Sequence, residues 1–216
     1  RDHLLGLVGS EMCIRDRYTG VGIQGHLMQL IILDRDGVIN EDSDEFIKSP
    51  SEWQPIRGSL EAIARLHRAG WHVVVATNQS GIARKLFDLD TLARIHETML
   101  HRVIENGGMI EAVFFCPHGP GDDCNCRKPK PGMFLDIAER LRTGLQGVPA
   151  VGDSLRDIEA AKAAGATPVL VKTGKGFGTV SSPELDPDVA VFDDLYSVVN
   201  HLLNTTQTHT DKSYVD

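Results

Sequence analysis

The chain has no apolar run close to the roughly 18 residues that a membrane-crossing helix needs, so no helical span is expected. Positive charge is in short supply: 22 Lys and Arg stand against 30 Asp and Glu, a net charge of -8. A sequence-independent grip on nucleic acid or on an anionic membrane is therefore not expected. The amino-terminal stretch lacks the basic, apolar and small-residue succession of a secretory signal, and the expected location is cytoplasmic. Cysteine is sparse, with only four in the chain, and Cys116, Cys124 and Cys126 crowd into one segment. That distribution excludes a disulfide framework and points to a metal. With 216 residues there is room for one well-cored domain and little for a second.

Residues 1–27 show no sustained period. The segment 5–17 resembles translated sequencing-adapter read-through, so this leader is expected to be non-native or disordered, with the native start at Met28. Residues 28–204 are expected to form the domain and 205–216 a disordered tail.

Between these limits, short β-branched runs alternate with helical periods. Leu30-Ile31-Ile32-Leu33 reads as a buried strand. The others are 71–76, 111–115, 148–151, 167–171 and 189–192. Helices are expected over 59–69, 88–106, 131–141, 154–164 and 193–203. In the second of these, Leu89, Leu92, Ile95, Met99 and Val103 form the apolar stripe, with His96 and His101 on its flanks. His67 is assigned to a helix surface. This alternation predicts a doubly wound parallel α/β sheet.

Polar clusters follow three of the strands: Asp34/Asp36, Thr77/Asn78 and Gly152/Asp153. A parallel sheet gathers such ends on one edge, where ligands bind in open α/β folds. In extended chain Asp34 and Asp36 share a face, and two like charges so placed call for a cation. A hard divalent ion with oxygen ligands, magnesium, suits them. Cys116-x-His118 and Cys124-x-Cys126 supply three thiolates and one imidazole. That is a closed tetrahedral set for structural zinc.

The pieces Asp34-Arg35-Asp36-Gly37-Val38, Thr77, Lys128 and Gly152-Asp153-Ser154-Leu155-Arg156-Asp157 together resemble the haloacid dehalogenase superfamily of phosphotransferases. The resemblance implies a HAD-like Rossmannoid fold and a magnesium-dependent phosphatase. In it Asp34 is the nucleophile and Asp36 the proton donor and acceptor. Thr77 and Lys128 bind and neutralise the phosphoryl group. Asp34, the main-chain carbonyl of Asp36, and Asp153 hold magnesium. Asp157 orients either the metal shell or Lys128, or is only a first-turn Asp favoured by the helix dipole. By strand alternation Arg35 faces away from the reacting centre. It is kept, with Asp36, Asp42, Asn78, Gln79, Ser80, Arg127 and Lys128, among the candidate substrate contacts. Lys130 is expected to be exposed.

About 40 residues separate the first two motifs, too few for a separate cap domain. A capless member with a zinc loop resembles the sugar-bisphosphate phosphatases of the superfamily. A phosphorylated sugar is the expected small-molecule partner, and the chain is expected to be a monomer. Histidinol phosphate is the alternative substrate, and a non-catalytic zinc-stabilised binding module is the alternative of a different kind.

Overall fold

The structure, a computed structural model, describes residues 28–210. The expected leader, residues 1–27, and the end of the expected tail lie outside the described residues. Six strands form one parallel sheet: β1 (Leu30–Leu33), β2 (His72–Asn78), β3 (Ala112–Cys116), β4 (Pro149–Gly152), β5 (Thr167–Val171) and β6 (Ala190–Phe192). Their order across the sheet is β3-β2-β1-β4-β5-β6. The sheet winds outward in both directions from β1, and the crevice beside β1 is the topological switch point.

The helices are α1 (Ser59–Arg68), α2 (Leu89–Glu105), α3 (Gly132–Leu141), α4 (Leu155–Ala163), α5 (Gly176–Val180) and α6 (Leu195–Thr210). Side-chain parity along the strands divides the core in two. Ile31, Leu33, Val73 and Val75 pack with Ile63 and Leu66 of α1, Ile95 and Met99 of α2, and Val198 and Val199 of α6. Leu30, Ile32, Val74 and Ala76 pack instead with Met133 and Ile137 of α3 and Ala160 and Ala161 of α4. Both faces of the sheet are thus covered, which is why its strands read as continuous apolar runs rather than alternating ones.

Local chemistry marks the helix starts. Asp88 caps α2 by accepting from the Thr91 N–H at 2.8 Å. Ser154 and Asp157 form a reciprocal capping box on α4. Three expectations are corrected. Leu89, the first residue of α2, is 55% exposed and is not part of the buried stripe. His96 lies on that stripe, 1% exposed, not on its flank. α6 runs to Thr210, so the helical hydrogen-bond ladder continues into the first part of the expected tail.

The turn after β1 decides how the site is built. The Asp34 N–H bonds the Val151 carbonyl of β4 at 2.9 Å. The Arg35 carbonyl then accepts from Ile39 and Asn40, and the Gly37 N–H bonds the Asn40 carbonyl at 2.7 Å. Gly37 sits at φ 81°, and a Cβ there would lie 2.0 Å from Asp153 Oδ2. Both the left-handed backbone and the missing side chain are required. Gly37→Ala is therefore expected to destabilise the fold by at least about 1 kcal/mol and to weaken divalent-cation binding by displacing Asp153. Denaturant unfolding with and without magnesium checks this, and unchanged midpoints in both would contradict it.

Candidate active site

Asp34, Lys128 and Asp157 form the centre of the sheet's carboxyl edge. Lys128 is 2% exposed. Its Nζ lies 3.0 Å from Asp34 Oδ1 and 2.6 Å from Asp157 Oδ1, and it donates to the Ala76 carbonyl at 2.7 Å. Three elements converge on one ammonium: the end of β1, the start of α4 and the carboxyl-terminal part of β2. Burial alone would lower the Lys128 pKa, but the Asp157 and Asp34 charges outweigh it and hold the amine above its usual range. Lys130 is exposed and bonds the Cys124 carbonyl at 2.7 Å, as expected of the lysine left outside.

Asp34 accepts from the Arg35 N–H at 2.7 Å through the oxygen that also meets Lys128. Burial pushes its carboxyl up to about 6; Lys128 pulls it back, and Asp157 and Asp36 push it further. Asp153 is buried and rises to about 8, from burial and then from Asp157 and Asp34. Asp153 Oδ2 accepts from the Lys175 N–H at 2.8 Å, while buried Oδ1 has no hydrogen-bond partner. Carboxylate oxygens of Asp34, Asp153 and Asp157 all lie within 4.8 Å of one another. Asp157 already serves Lys128 with Oδ1 and the Ser154 N–H and hydroxyl with Oδ2. Asp34 and Asp153 are left as the pair suited to a hard cation, and the orphaned Asp153 Oδ1 is the observation that fits one.

Asp36 does not pair with Asp34. Its carboxylate is not in the Asp34, Asp153 and Asp157 cluster, and four donors meet it. Arg35 Nε donates to Oδ1 at 3.0 Å and Arg35 Nη2 to Oδ2 at 2.9 Å. Asn40 Nδ2 reaches Oδ1 at 2.8 Å and Gln79 Nε2 reaches Oδ2 at 3.0 Å. Burial would raise its pKa, but Arg35 and the Asn40 and Gln79 bonds outweigh it and keep it below the usual carboxylate range.

Arg35 is also corrected as a candidate substrate contact. Its side chain is 0% exposed and closes on Asp36. Asn78 receives the Lys128 N–H at 3.1 Å and donates to the Lys128 carbonyl at 3.0 Å, so its amide brackets that peptide. Gln79 also donates to Thr77 Oγ1 at 3.0 Å. Thr77 and Ser80 are buried at the same edge. Asp42, from the loop after β1, bonds Lys175 Nζ at 2.8 Å. Arg127 donates to the His118 carbonyl at 3.1 Å.

Cys116, His118, Cys124 and Cys126 form the second cluster. Cys116 Sγ lies 3.5 Å from His118 Nδ1, 3.9 Å from Cys124 Sγ and 3.2 Å from Cys126 Sγ; His118 Nδ1 is 3.3 Å from Cys126 Sγ. Tetrahedral zinc with metal–sulfur bonds of about 2.3 Å sets sulfur–sulfur edges of about 3.7 Å, so the donors fit. Burial first, then the neighbouring thiols, raises the Cys116 pKa, which disfavours a thiolate there without a cation. None of the three described cysteines is in a disulfide.

Two contributors escaped the sequence argument. His96 contacts Arg35 Nη1 through Nε2 at 3.2 Å. The signal was present: His96 stands in helical register with Leu92, Met99 and Val103. Lys175 lies beyond the end of β5, the same strand-end position that flagged the other clusters.

The chain matches two family profiles, HAD-hydrolase-like over residues 125–198 and polynucleotide kinase 3 phosphatase over residues 29–161. It is 57% identical over 176 residues to the D-glycero-beta-D-manno-heptose-1,7-bisphosphate 7-phosphatase of Bordetella bronchiseptica, spanning 82% of this chain and 98% of that protein. It is 55% identical to the enzyme of the same name from Pseudomonas aeruginosa, over 81% and 97% of the two chains. The crystal structure of D,D-heptose 1,7-bisphosphate phosphatase from B. bronchiseptica, complexed with magnesium and phosphate, superposes with a TM-score of 0.81 at 56% identity, covering 82% of this chain and 99% of that one.

The raised carboxyls generate a pH prediction. Between the ordinary aspartate pKa and the folded values of about 6 and about 8, the folded chain binds more protons than the unfolded one. Its metal-free stability must therefore fall as pH rises through that window. A cation that favours both ionised carboxylates reverses the loss. The magnesium-induced rise in Tm is expected to be larger at pH 8 than at pH 5, and an equal rise at both would contradict the assignment of Asp34 and Asp153.

Proposed function

The chain belongs to the haloacid dehalogenase superfamily, in the family of D-glycero-β-D-manno-heptose-1,7-bisphosphate 7-phosphatases, and on that premise we propose that it hydrolyses the 7-phosphate of this sugar bisphosphate through an aspartyl-phosphate on Asp34. The observation that carries the mechanism is the buried Lys128 ammonium 3.0 Å from Asp34 Oδ1. It keeps one carboxylate oxygen fixed and lowers the repulsion between that carboxylate and an incoming phosphate. The high overall identity to heptose-bisphosphate phosphatases supports the sugar substrate over histidinol phosphate. The net charge of -8 disfavours a polynucleotide.

In the first half-reaction an Asp34 oxygen bonds to phosphorus as the bond from phosphorus to the sugar C7 oxygen breaks. Asp36, whose protonated form the adjacent phosphate anion would favour against the pull of Arg35, delivers that proton to the departing oxygen. In the second half, Asp36 takes a proton from water as the water oxygen attacks phosphorus. Inorganic phosphate leaves and Asp34 is regenerated. Thr77 Oγ1 and the neighbouring main-chain N–H groups hold phosphoryl oxygens. Magnesium, held by Asp34, Asp153 and the Asp36 main-chain carbonyl, would offset the charge between carboxylate and phosphate. Asp42, Ser80 and Arg127 line the approach, Arg127 with its remaining donors. The product would feed ADP-heptose assembly for the lipopolysaccharide inner core, by a monomer acting in the cytoplasm. No helix among the described residues is long and apolar enough to cross a membrane.

Zinc held by Cys116, His118, Cys124 and Cys126 would clip a loop that has little apolar content of its own and that leads directly into Arg127 and Lys128. Removal of zinc by a chelator, with magnesium restored, is expected to lower kcat at least about tenfold. Full activity in protein shown to be zinc-free would break the link between loop and Lys128.

Asp34→Asn should lower kcat by at least about three orders of magnitude while the unfolding midpoint stays at or above that of the parent. Retained turnover would remove Asp34 from the nucleophile role. A panel of both heptose bisphosphate anomers and histidinol phosphate should give the highest kcat/KM with a heptose bisphosphate, and a higher value with histidinol phosphate would overturn the substrate.

A further inference from the structure

The Arg35 guanidinium is planar and presents two edges. One edge, Nε and Nη2, grips both oxygens of Asp36 at 3.0 and 2.9 Å. The outer nitrogen, Nη1, meets His96 Nε2 at 3.2 Å. Arginine has only donors, so His96 Nε2 must be the acceptor, and the imidazole proton must be on Nδ1. Both side chains are sealed from solvent, at 0% and 1% exposure. The His96 ring is further held edge-on to Phe115, with centroids 6.0 Å apart. Burial, then the Arg35 charge, drives the imidazole pKa down to about 3 against the pull of Asp36. The ring is thus neutral and its lone pair available.

We propose that His96 is a positioning residue for proton transfer: through Arg35 it fixes the direction in which the Asp36 carboxylate points. A guanidinium is a rigid fork, so holding Nη1 sets the plane of Nε and Nη2 and with it the plane of the carboxylate they grip. Without an acceptor at position 96 the buried Nη1 N–H is orphaned, which costs more than the bond itself is worth. The fork then turns to find another partner and carries Asp36 with it. Asn40 and Gln79 each supply one bond to Asp36, and neither sets an orientation as a two-pronged contact does. The parity of β1 explains why the device comes from α2: Arg35 continues the Ile31 and Leu33 face, which packs on Ile95 and Met99 of that helix.

This inference rests on the proposed role of Asp36, and leaving-group dependence separates the two. An alkoxide cannot depart from phosphorus without a proton, whereas a nitrophenolate can. For His96→Leu, kcat/KM with heptose bisphosphate is expected to fall about 10- to 100-fold, while kcat/KM with p-nitrophenyl phosphate falls less than about threefold. His96→Gln, which keeps an acceptor, should recover most of the loss. Should His96→Leu not fold, Arg35→Lys, which keeps the charge and loses the fork, is expected to show the same selective loss. Asp36→Asn is the reference and should show the largest selectivity. Equal losses on both substrates, or no loss on either, in the His96 and Arg35 variants would overturn the positioning role. If Asp36→Asn itself shows no leaving-group selectivity, the proton-transfer role of Asp36 fails first.

Discussion

One buried charge organises the edge of this sheet. The Lys128 ammonium lies between the carboxylates of Asp34 and Asp157 with almost no access to solvent. An unpaired ion in that position would cost several kcal/mol, so each of its partners must be delivered in place by the fold. β1 and its bond to β4 place Asp34. The α4 cap places Asp157, which is tied to Ser154 through its other oxygen. β2 offers the Ala76 carbonyl and, through Asn78, both hydrogen-bonding groups of the Lys128 peptide. The cysteine–histidine loop ends at the residue before Arg127. Asp157 still pairs with Lys128 when Asp34 is neutralised, whereas loss of Lys128 would leave two buried carboxylates without their cation, so stability and chemistry are coupled at this lysine.

Strand parity then sorts the chemistry. On β1 the even positions lead to Asp34 and the α3/α4 face, where Lys128 and Asp157 wait. The odd positions lead to Arg35 and the α1/α2/α6 face, where His96 waits. Asp36 has the parity of Asp34, but the left-handed Gly37 closes a tight turn before parity can act. Its carboxylate is handed to Arg35, Asn40 and Gln79 instead. Two carboxylates two residues apart thus acquire opposite environments: one raised towards neutrality by burial, the other kept ionised by its donors. That is the order in the metal-free, phosphate-free chain; a cation at Asp34 would favour the ionised nucleophile, and an anionic phosphate beside Asp36 would favour the protonated acid.

The strand ends at Asp34, Thr77 and Asp153 were legible because buried parallel strands are long apolar runs that stop at polar residues. The cluster of Cys116, His118, Cys124 and Cys126, which could hold a metal ion, was legible because few segments put three thiols and an imidazole within a short loop. What was not legible was partner choice. Alternation correctly turned Arg35 away from Asp34, yet the length of its side chain brought the guanidinium back to Asp36. His96 was legible in period but not in purpose, since a buried histidine needs a partner that the helix pattern does not name. The glycine-rich stretch from Gly174 carries too few apolar residues to announce α5, and Lys175 was hidden with it. Gly174 is required there for the same reason as Gly37: a Cβ on it would lie 2.2 Å from Asp153 Oδ2.

In the proposed reaction phosphorus is attacked first by Asp34 and only afterwards by water. Each in-line displacement inverts phosphorus, so two in succession restore its configuration. The stereochemical course of hydrolysis of a heptose 7-thiophosphate made chiral with two oxygen isotopes, in water carrying the third, read in the released thiophosphate, tests this directly. Overall retention is the predicted result. Overall inversion would mean that water attacks in a single step and that Asp34 is not the nucleophile.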